Sequence, residues 1–181
     1  IVTVCAIAAI SLTACGSNNM SGPTSSQSSD DMMGDASTLS AADIMFLQMM
    51  IPHHQQAIEM SKLAVTNTKN PDVLDLAARI EAAQQPEIDL MKKLLSDAGQ
   101  SVMPGHSMSH GMSDDGMMDE VDMVALAAAK DSDFDVMYLT GMIGHHNGAI
   151  SMASAVSDSS NSDVKTLVNN IITSQTAEIA E

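Results

Sequence analysis

The sequence predicts an all-α fold, a four-helix bundle built from two duplicated helix hairpins. Residues 43–60 and 135–152 are nearly the same segment, and each carries adjacent histidines at the same position within a ladder of methionines. A second pair of segments, residues 80–88 and 171–179, repeats at almost the same spacing. Because both members of a helix pair recur, the duplicated unit is a hairpin rather than a single motif. Apolar residues recur at helical spacing, and no alternating strand pattern appears in the sequence.

Capping signals set the limits of the first hairpin. Ser40 is a suitable N-cap with a carboxylate three residues on, and apolar residues then follow at helical spacing over residues 41–66. Asn70 followed by a proline is a second helix start, because proline suits the first turn of a helix. The second helix is predicted to run amphipathically over residues 74–98 and to end at Gly99, a favourable residue just past a helix C-terminus.

The second hairpin is predicted in the same way. Ser132 and Asp133 are expected to cap a third helix that runs to about Val156. Ser162 opens a fourth helix that reaches the end of the chain. Two related hairpins of this kind pack naturally as a four-helix bundle.

The N-terminal residues have the character of a targeting segment. Residues 1–12 form an apolar run of signal-peptide length that is too short to span a bilayer. The run ends in Leu-Thr-Ala-Cys-Gly, which resembles the lipobox of bacterial lipoproteins and makes Cys15 the lipid carrier. The alternative is an ordinary buried strand. We therefore expect a truncated signal peptide at residues 1–14, the lipidated cysteine with a flexible linker at residues 15–39, and the duplicated domain at residues 40–181.

Composition excludes several classes of function. The 181-residue chain has a formal net charge of −16 with only seven Lys and Arg, so nucleic-acid phosphates would be repelled. Two Phe, one Tyr and no Trp disfavour haem and aromatic ligand pockets. Cys5 would leave with the signal peptide and Cys15 would be acylated, so no thiolate metal ligand is expected. A mature chain without free cysteine suits an oxidising cell envelope.

The chemistry centres on the duplicated histidine–methionine faces. On a helical wheel, His53 and His54 border one stripe with neighbouring methionines, on the side where the core is expected. Imidazole is a borderline ligand and thioether a soft one, so together they favour copper, above all Cu(I). The alternative is that the histidines are polar core residues and the methionines are core filler. The predicted ligands are Met50, His53, His54, Met60, Met142, His145, His146 and Met152.

Residues beside the histidines narrow the choice of metal and the geometry. A di-iron carboxylate site would need glutamate three residues before the histidine, where this chain has Met50 and Met142. Pro52 and Gly144 directly precede the two histidine pairs, and both residues weaken a helix. We predict a bend there that aims the imidazoles inward or lets one of each pair reach a loop.

The linker between the hairpins, residues 100–120, is a second candidate site. Histidine and methionine alternate there on a Gly/Ser backbone that cannot bury a core but can wrap a soft ion. The alternative is a solvated linker without metal. The predicted flexible ligands are Met103, His106, Met108, His110 and Met112.

Polar residues of the second and fourth helices recur with the histidines. Gln84 and Glu87 in the first copy correspond to Gln175 and Glu178 in the second. We predict that they hold a histidine by hydrogen bond, as second-layer groups do at many metal sites. An equally open alternative is that they are solvent-facing polar positions.

These motifs resemble a known bacterial family, the domain of unknown function numbered 305, which is ferritin-like in fold. Its pattern is similar to Met-Ile-x-His-His-x2-Ala-Ile-x-Met followed by Ile-x3-Gln-x2-Glu-Ile, and both parts occur twice here, at residues 50–60 and 80–88 and at residues 142–152 and 171–179. The family includes a copper-binding member. The resemblance therefore implies a helical bundle that binds copper outside the cytoplasm.

The sequence thus predicts an extracytoplasmic, lipid-anchored protein of a bacterial membrane that binds copper, with Cu(I) favoured over Cu(II). Buffering, resistance or delivery would each use such a site, with copper-trafficking proteins as partners and no role for nucleic acid. No nucleophile–base arrangement is apparent, so an enzyme is not expected. The alternatives are a redox enzyme with a dinuclear metal centre and a metal-free envelope interaction module.

Overall fold

The computed structural model describes residues 38–102 and 115–181, all of which lie in the compact unit Gly34–Glu181. The predicted signal peptide and Cys15 lie outside the described residues. The same is true of the predicted linker ligands, which are Met103, His106, Met108, His110 and Met112.

The described residues form five helices. They are α1 (Ala41–Asn67), α2 (Pro71–Asp97), α3 (Glu120–Ala128), α4 (Asp131–Ser154) and α5 (Ser162–Ala180). The four long helices confirm the all-α prediction and the two hairpins. The nine-residue α3 was not predicted, because so short a helix carries little periodic signal and is marginal without packing. No helix in the two described ranges is long and apolar enough to cross a membrane.

The caps of the first hairpin are as predicted. The Ser40 hydroxyl accepts from the Asp43 N–H at 3.1 Å, and the Asp43 carboxylate accepts from the Ser40 N–H at 2.8 Å, which completes a capping box. Asn70 accepts from the N–H of Asp72, with Pro71 at the start of α2. Gly99 follows the end of α2 with a φ of +67°.

The caps of the second hairpin differ from the prediction by one or two residues. Helix α4 begins after Lys130, which makes no side-chain cap, whereas Ser132 and Asp133 were expected there. The Lys130 ammonium donates to the side-chain oxygen of Asn67, which ties the start of α4 to the end of α1. The cap of α5 is Asn161, whose side-chain oxygen accepts two backbone N–H groups at 3.0 Å.

Contacts between α1 and α4 show that these two helices run antiparallel. Tyr138 of α4 meets Ser61 of α1, and His145 meets His53, so the index rises on one helix as it falls on the other. The core divides into two apolar clusters. The first contains Met50, Met91 and Ile171, and the second contains Met60, Tyr138 and Met142. The histidine layer, defined as His53, His54, His145 and His146, lies between them on α1 and α4.

The end of the linker, residues 115–118, lies directly on α4. A Cβ added to Gly148 would fall 1.6 Å from the Asp115 carbonyl oxygen, and one added to Gly116 would fall 2.2 Å from the Gly144 carbonyl oxygen. Only glycine permits such a close approach of two backbones. This linker end therefore closes over the face of α4 that carries Gly144 and Gly148, next to His145.

We expect Gly148→Ala to lower the free energy of unfolding by about 1–3 kcal/mol, since the new methyl group must displace the Asp115 backbone. Gly144→Ala is the matched control on the same helix, because nothing lies within 4 Å of its added Cβ. The control should raise stability by about 0.5–1 kcal/mol through better helix propensity. Urea unfolding measures both, and equal effects would mean that the linker end does not dock on α4.

Candidate metal centre

The two histidine pairs meet at the crossing of α1 and α4. The ring centroids of His53 and His145 are 3.8 Å apart, with ring planes tilted by 42°. His54 lies 6.5 Å from His53 and His146 lies 6.3 Å from His145, again between ring centroids. All four side chains are buried. The duplicated segments thus bring four imidazoles into one layer of the bundle.

The outer imidazole of each pair is held by a carboxylate. His54 donates from Nε2 to the Glu87 carboxylate at 2.8 Å, and His146 donates from Nε2 to Glu178 at 2.7 Å. Each pair joins the two helices of one hairpin, so the arrangement is repeated along with the sequence. The prediction that these glutamates hold histidines is confirmed. Because Nε2 donates to the glutamate, Nδ1 is the ring nitrogen that is left to bind a metal ion.

The glutamines of the repeat are buried rather than solvent-facing. Gln84 is 2% exposed and Gln175 is 1% exposed. Within the described part of the chain, both side-chain polar atoms of Gln84 and the Oε1 of Gln175 have no hydrogen-bond partner. A buried amide atom without a hydrogen bond costs stability. This cost occurs at the same position in both copies of the repeat.

The inner imidazole of α1 reaches the linker end. His53 donates from Nε2 to the Asp115 carbonyl oxygen at 2.9 Å. The hypothesis that one histidine of a pair reaches a loop is therefore confirmed for the first copy. A bend at Pro52 stays a prediction. The neighbour of His53 across the layer is His145. Neither of its ring nitrogens is hydrogen-bonded among the described residues.

The inner histidines, His53 and His145, are neutral at ordinary pH. Burial is the largest cause and lowers the pKa of His53 to about 3, although the hydrogen bond to Asp115 opposes it. Burial and then the neighbouring histidines lower the pKa of His145 well below 6.5. The Nδ1 atoms of all four histidines are buried and without a partner in the described ranges. His53 and His145 are thus neutral rings that keep an unused nitrogen lone pair, which fits a metal ion.

Nitrogen and carboxylate donors alone do not complete a site. Among residues 38–102 and 115–181, no three His, Cys, Asp or Glu side chains are placed to hold one ion. The predicted thioether ligands lie on both sides of the layer: Met50 and Met152 pack with the first cluster, and Met60 and Met142 belong to the second. An ion bound to the imidazoles therefore has thioethers within the adjacent core on either side.

Sequence reasoning missed the groups that come from the linker and from breaks in the repeat. Gln56 bonds the backbone of Met118 through both polar atoms of its amide, each at 2.8 Å. Tyr138 stands where the first copy has Phe46, and its buried hydroxyl is 3.0 Å from that of Ser61. Burial raises the pKa of Tyr138 to about 12, so it stays protonated. The sequence signal for Tyr138 was that the two copies of the repeat differ at this position.

The metal-free protein should lose stability as pH falls below about 6.5. The unfolded chain takes up a proton on each histidine near pH 6.5, whereas folded His53 does so only near pH 3 and His145 well below its usual range. The free energy of unfolding should therefore be lower at pH 5 than at pH 7 by about 2 kcal/mol for His53 and by about as much for His145. Unfolding free energies measured at pH 7, 6 and 5 test this.

The control is His53→Asn/His145→Asn, which removes both titrating rings. Its stability should fall by about 4 kcal/mol less than that of the unaltered protein over the same pH range. Parallel pH dependences of the two proteins would contradict neutral, buried central histidines.

Comparison with known proteins identifies the family. The model of the family "Domain of unknown function (DUF305)" matches residues 43–181. A solved DUF305 fragment from Deinococcus radiodurans superposes with a TM-score of 0.72 at 26% identity, over 78% of this chain and 92% of that one. CopM in its Cu(I)-bound form superposes with a TM-score of 0.65 at 34% identity, over 76% of this chain and 90% of CopM.

A shorter match is to uncharacterized protein L153 of Acanthamoeba polyphaga mimivirus. It is 46% identical over 55 residues, which are 30% of this chain. The match spans 36% of the viral protein, so it bears on one segment only. The family match, by contrast, covers both hairpins, including both histidine pairs and both glutamates. The chain belongs to the DUF305 family.

Proposed function

We propose that this protein binds copper outside the cytoplasm, preferring Cu(I) to Cu(II), and thereby buffers, detoxifies or delivers the ion. Structures of the similar protein CopM exist in Cu(I)-bound, Cu(II)-bound and silver-bound forms, at 31–35% identity to this chain. Silver(I) is a soft monovalent ion like Cu(I), and both suit thioether and imidazole donors.

One observation carries the proposal: four buried imidazoles meet in one layer with every Nδ1 unused and methionines on either side. Imidazole supplies borderline nitrogen donors and thioether supplies soft sulfur donors, a set that favours copper. The proposed bundle ligands are Met50, His53, His54, Met60, Met142, His145, His146 and Met152.

The finer parts of the proposal concern the linker and the membrane. A secondary set of ligands is proposed in the linker, namely Met103, His106, Met108, His110 and Met112. Lipidation at Cys15 would tether the protein to a membrane surface by two acyl chains. A DUF305 protein of Streptomyces coelicolor, 28% identical, is described as a candidate secreted protein, which supports an extracytoplasmic place. We propose binding without catalysis, with copper-trafficking proteins as partners.

Copper competition tests the function. Reduced protein is titrated into a chromophoric Cu(I) chelator, and we expect it to withdraw the ion. His53→Asn/His145→Asn should weaken Cu(I) binding at least about tenfold, because it removes the two central donors. The matched control, His106→Asn/His110→Asn, removes the same number of imidazoles from the linker instead.

The outcomes separate the possibilities. No copper uptake by the unaltered protein would refute a copper function and favour a metal-free interaction module. Loss confined to the linker variant would refute the assignment to the bundle. An optical signal of bound copper that cycles repeatedly with oxygen and a reductant would contradict simple binding and favour the redox enzyme.

The glutamates give a second prediction. Glu87→Gln should lower Cu(I) affinity about tenfold, because the carboxylate that accepts the His54 Nε2–H also raises the basicity of Nδ1. Glu178→Gln should act alike through His146. Glu81→Gln is the control on the same helix as Glu87, since Glu81 is 45% exposed and lies 3.9 Å from Lys62 rather than at a histidine. The competition assay measures all three, and equal affinities would exclude a positioning role.

A further inference from the structure

Met118 of the linker end occupies a space that a missing side chain leaves on α4. Its sulfur lies 2.9 Å from the position that a Cβ on Gly141 would take. The terminal methyl carbon of Met60 lies 3.3 Å from the same point. A thioether from the linker and one from α1 therefore meet over this glycine, and Met142 is the next residue along α4.

The backbone of Met118 is fixed independently of its side chain. Its N–H donates to the Gln56 side-chain oxygen, and its carbonyl oxygen accepts from the Gln56 amide, both at 2.8 Å. The preceding residue, Met117, donates its N–H to the Asp115 carboxylate at 3.1 Å. Because these bonds set the position of the linker end, replacing the Met118 side chain should leave its path unchanged.

The face of α4 beneath the linker end is a break in the duplication. Gly141, Gly144 and Gly148 follow one another at intervals of three and four residues, so they lie on one face of the helix. The equivalent residues of the first copy are Met49, Pro52 and Gln56, all of which have side chains. Glycine within a helix costs about 0.5–1 kcal/mol relative to alanine. The second copy thus bears this cost at Gly141 and Gly148, where an added Cβ would meet the linker end.

We propose that Met118 is a metal ligand and that it forms, with Met60 and Met142, a thioether site for a soft monovalent ion beside the histidine layer. This inference rests on the proposed copper function and adds a ligand from the linker. Met60 is fully buried and Met142 is 3% exposed, whereas Met118 is partly buried at the edge of the same cluster. Met118 is therefore the member that an arriving ion meets first.

Ordinary packing is the competing explanation, because methionine also fills gaps in apolar cores. The two explanations differ in what leucine does. Leucine conserves volume and packs in place of methionine with little loss of stability, but it has no sulfur to donate. A packing role predicts that Met118→Leu changes nothing in ion binding, whereas a ligand role predicts weaker binding in a folded protein.

The experiment uses the full chain with ¹³C-methyl-labelled methionine and titrates it with silver(I), a diamagnetic soft ion. We expect the methyl resonances of Met118, Met60 and Met142 to shift within the first equivalents. Met118→Leu should lower silver(I) and Cu(I) affinity about tenfold, as loss of one ligand-sphere group commonly does. Met117→Leu is the matched control, because Met117 is the residue next to Met118 and its side chain is 36% exposed.

Three results would overturn the inference. If histidine ring signals shift with silver while the Met118 and Met60 methyl resonances do not, the thioether site is wrong and the imidazole site stands. If Met118→Leu and Met117→Leu bind with the same affinity as the unaltered protein, Met118 only packs. If neither histidine nor methionine signals move, both this inference and the copper function fail together.

Discussion

The main constraint on the structure is the burial of four imidazoles where α1 crosses α4, because the rest of the bundle must offset its cost. A buried polar atom without a partner costs about 1–3 kcal/mol, and each of these rings keeps at least one such nitrogen among the described residues. The apolar clusters on either side supply the packing that holds the rings in place. Leucine or phenylalanine would stabilise the bundle better at these positions, and the ion proposed above would account for the imidazoles by using their lone pairs.

The two copies of the repeat match at the outer histidines and differ at the inner ones. The outer rings, His54 and His146, are each held by a glutamate from the second helix of the same hairpin. The inner rings differ, because His53 is bonded to the linker end and His145 is not. Duplication therefore built the scaffold and its carboxylate supports. The linker then gave one side of the layer a different chemical environment.

Most of the fold could be predicted because its signals are local. The Ser40 and Asn70 caps, the helical periodicity and the repeat all depend on residues a few positions apart. The hydrogen bond between Glu87 and His54 could be predicted only because the same spacing occurs in both copies of the repeat. The Asp115 contact could not be foreseen, since it uses a backbone carbonyl that every residue possesses. The start of α4 was predicted one or two residues late, because Ser132 and Asp133 are favourable cap residues whereas the observed N-cap, Lys130, has a side chain that cannot accept a hydrogen bond.

The same unpaired nitrogens link metal binding to folding. An ion that binds only the folded state stabilises it by about 4 kcal/mol when its concentration is a thousand times its dissociation constant. That gain is comparable with the cost of leaving a few buried nitrogens unpaired. Acid weakens the imidazole contribution, because a protonated ring cannot donate to a metal, but it leaves thioethers unchanged. At the proposed site, the most stable form of the protein would therefore be the loaded one, and the methionines would remain available as soft donors when the histidines titrate.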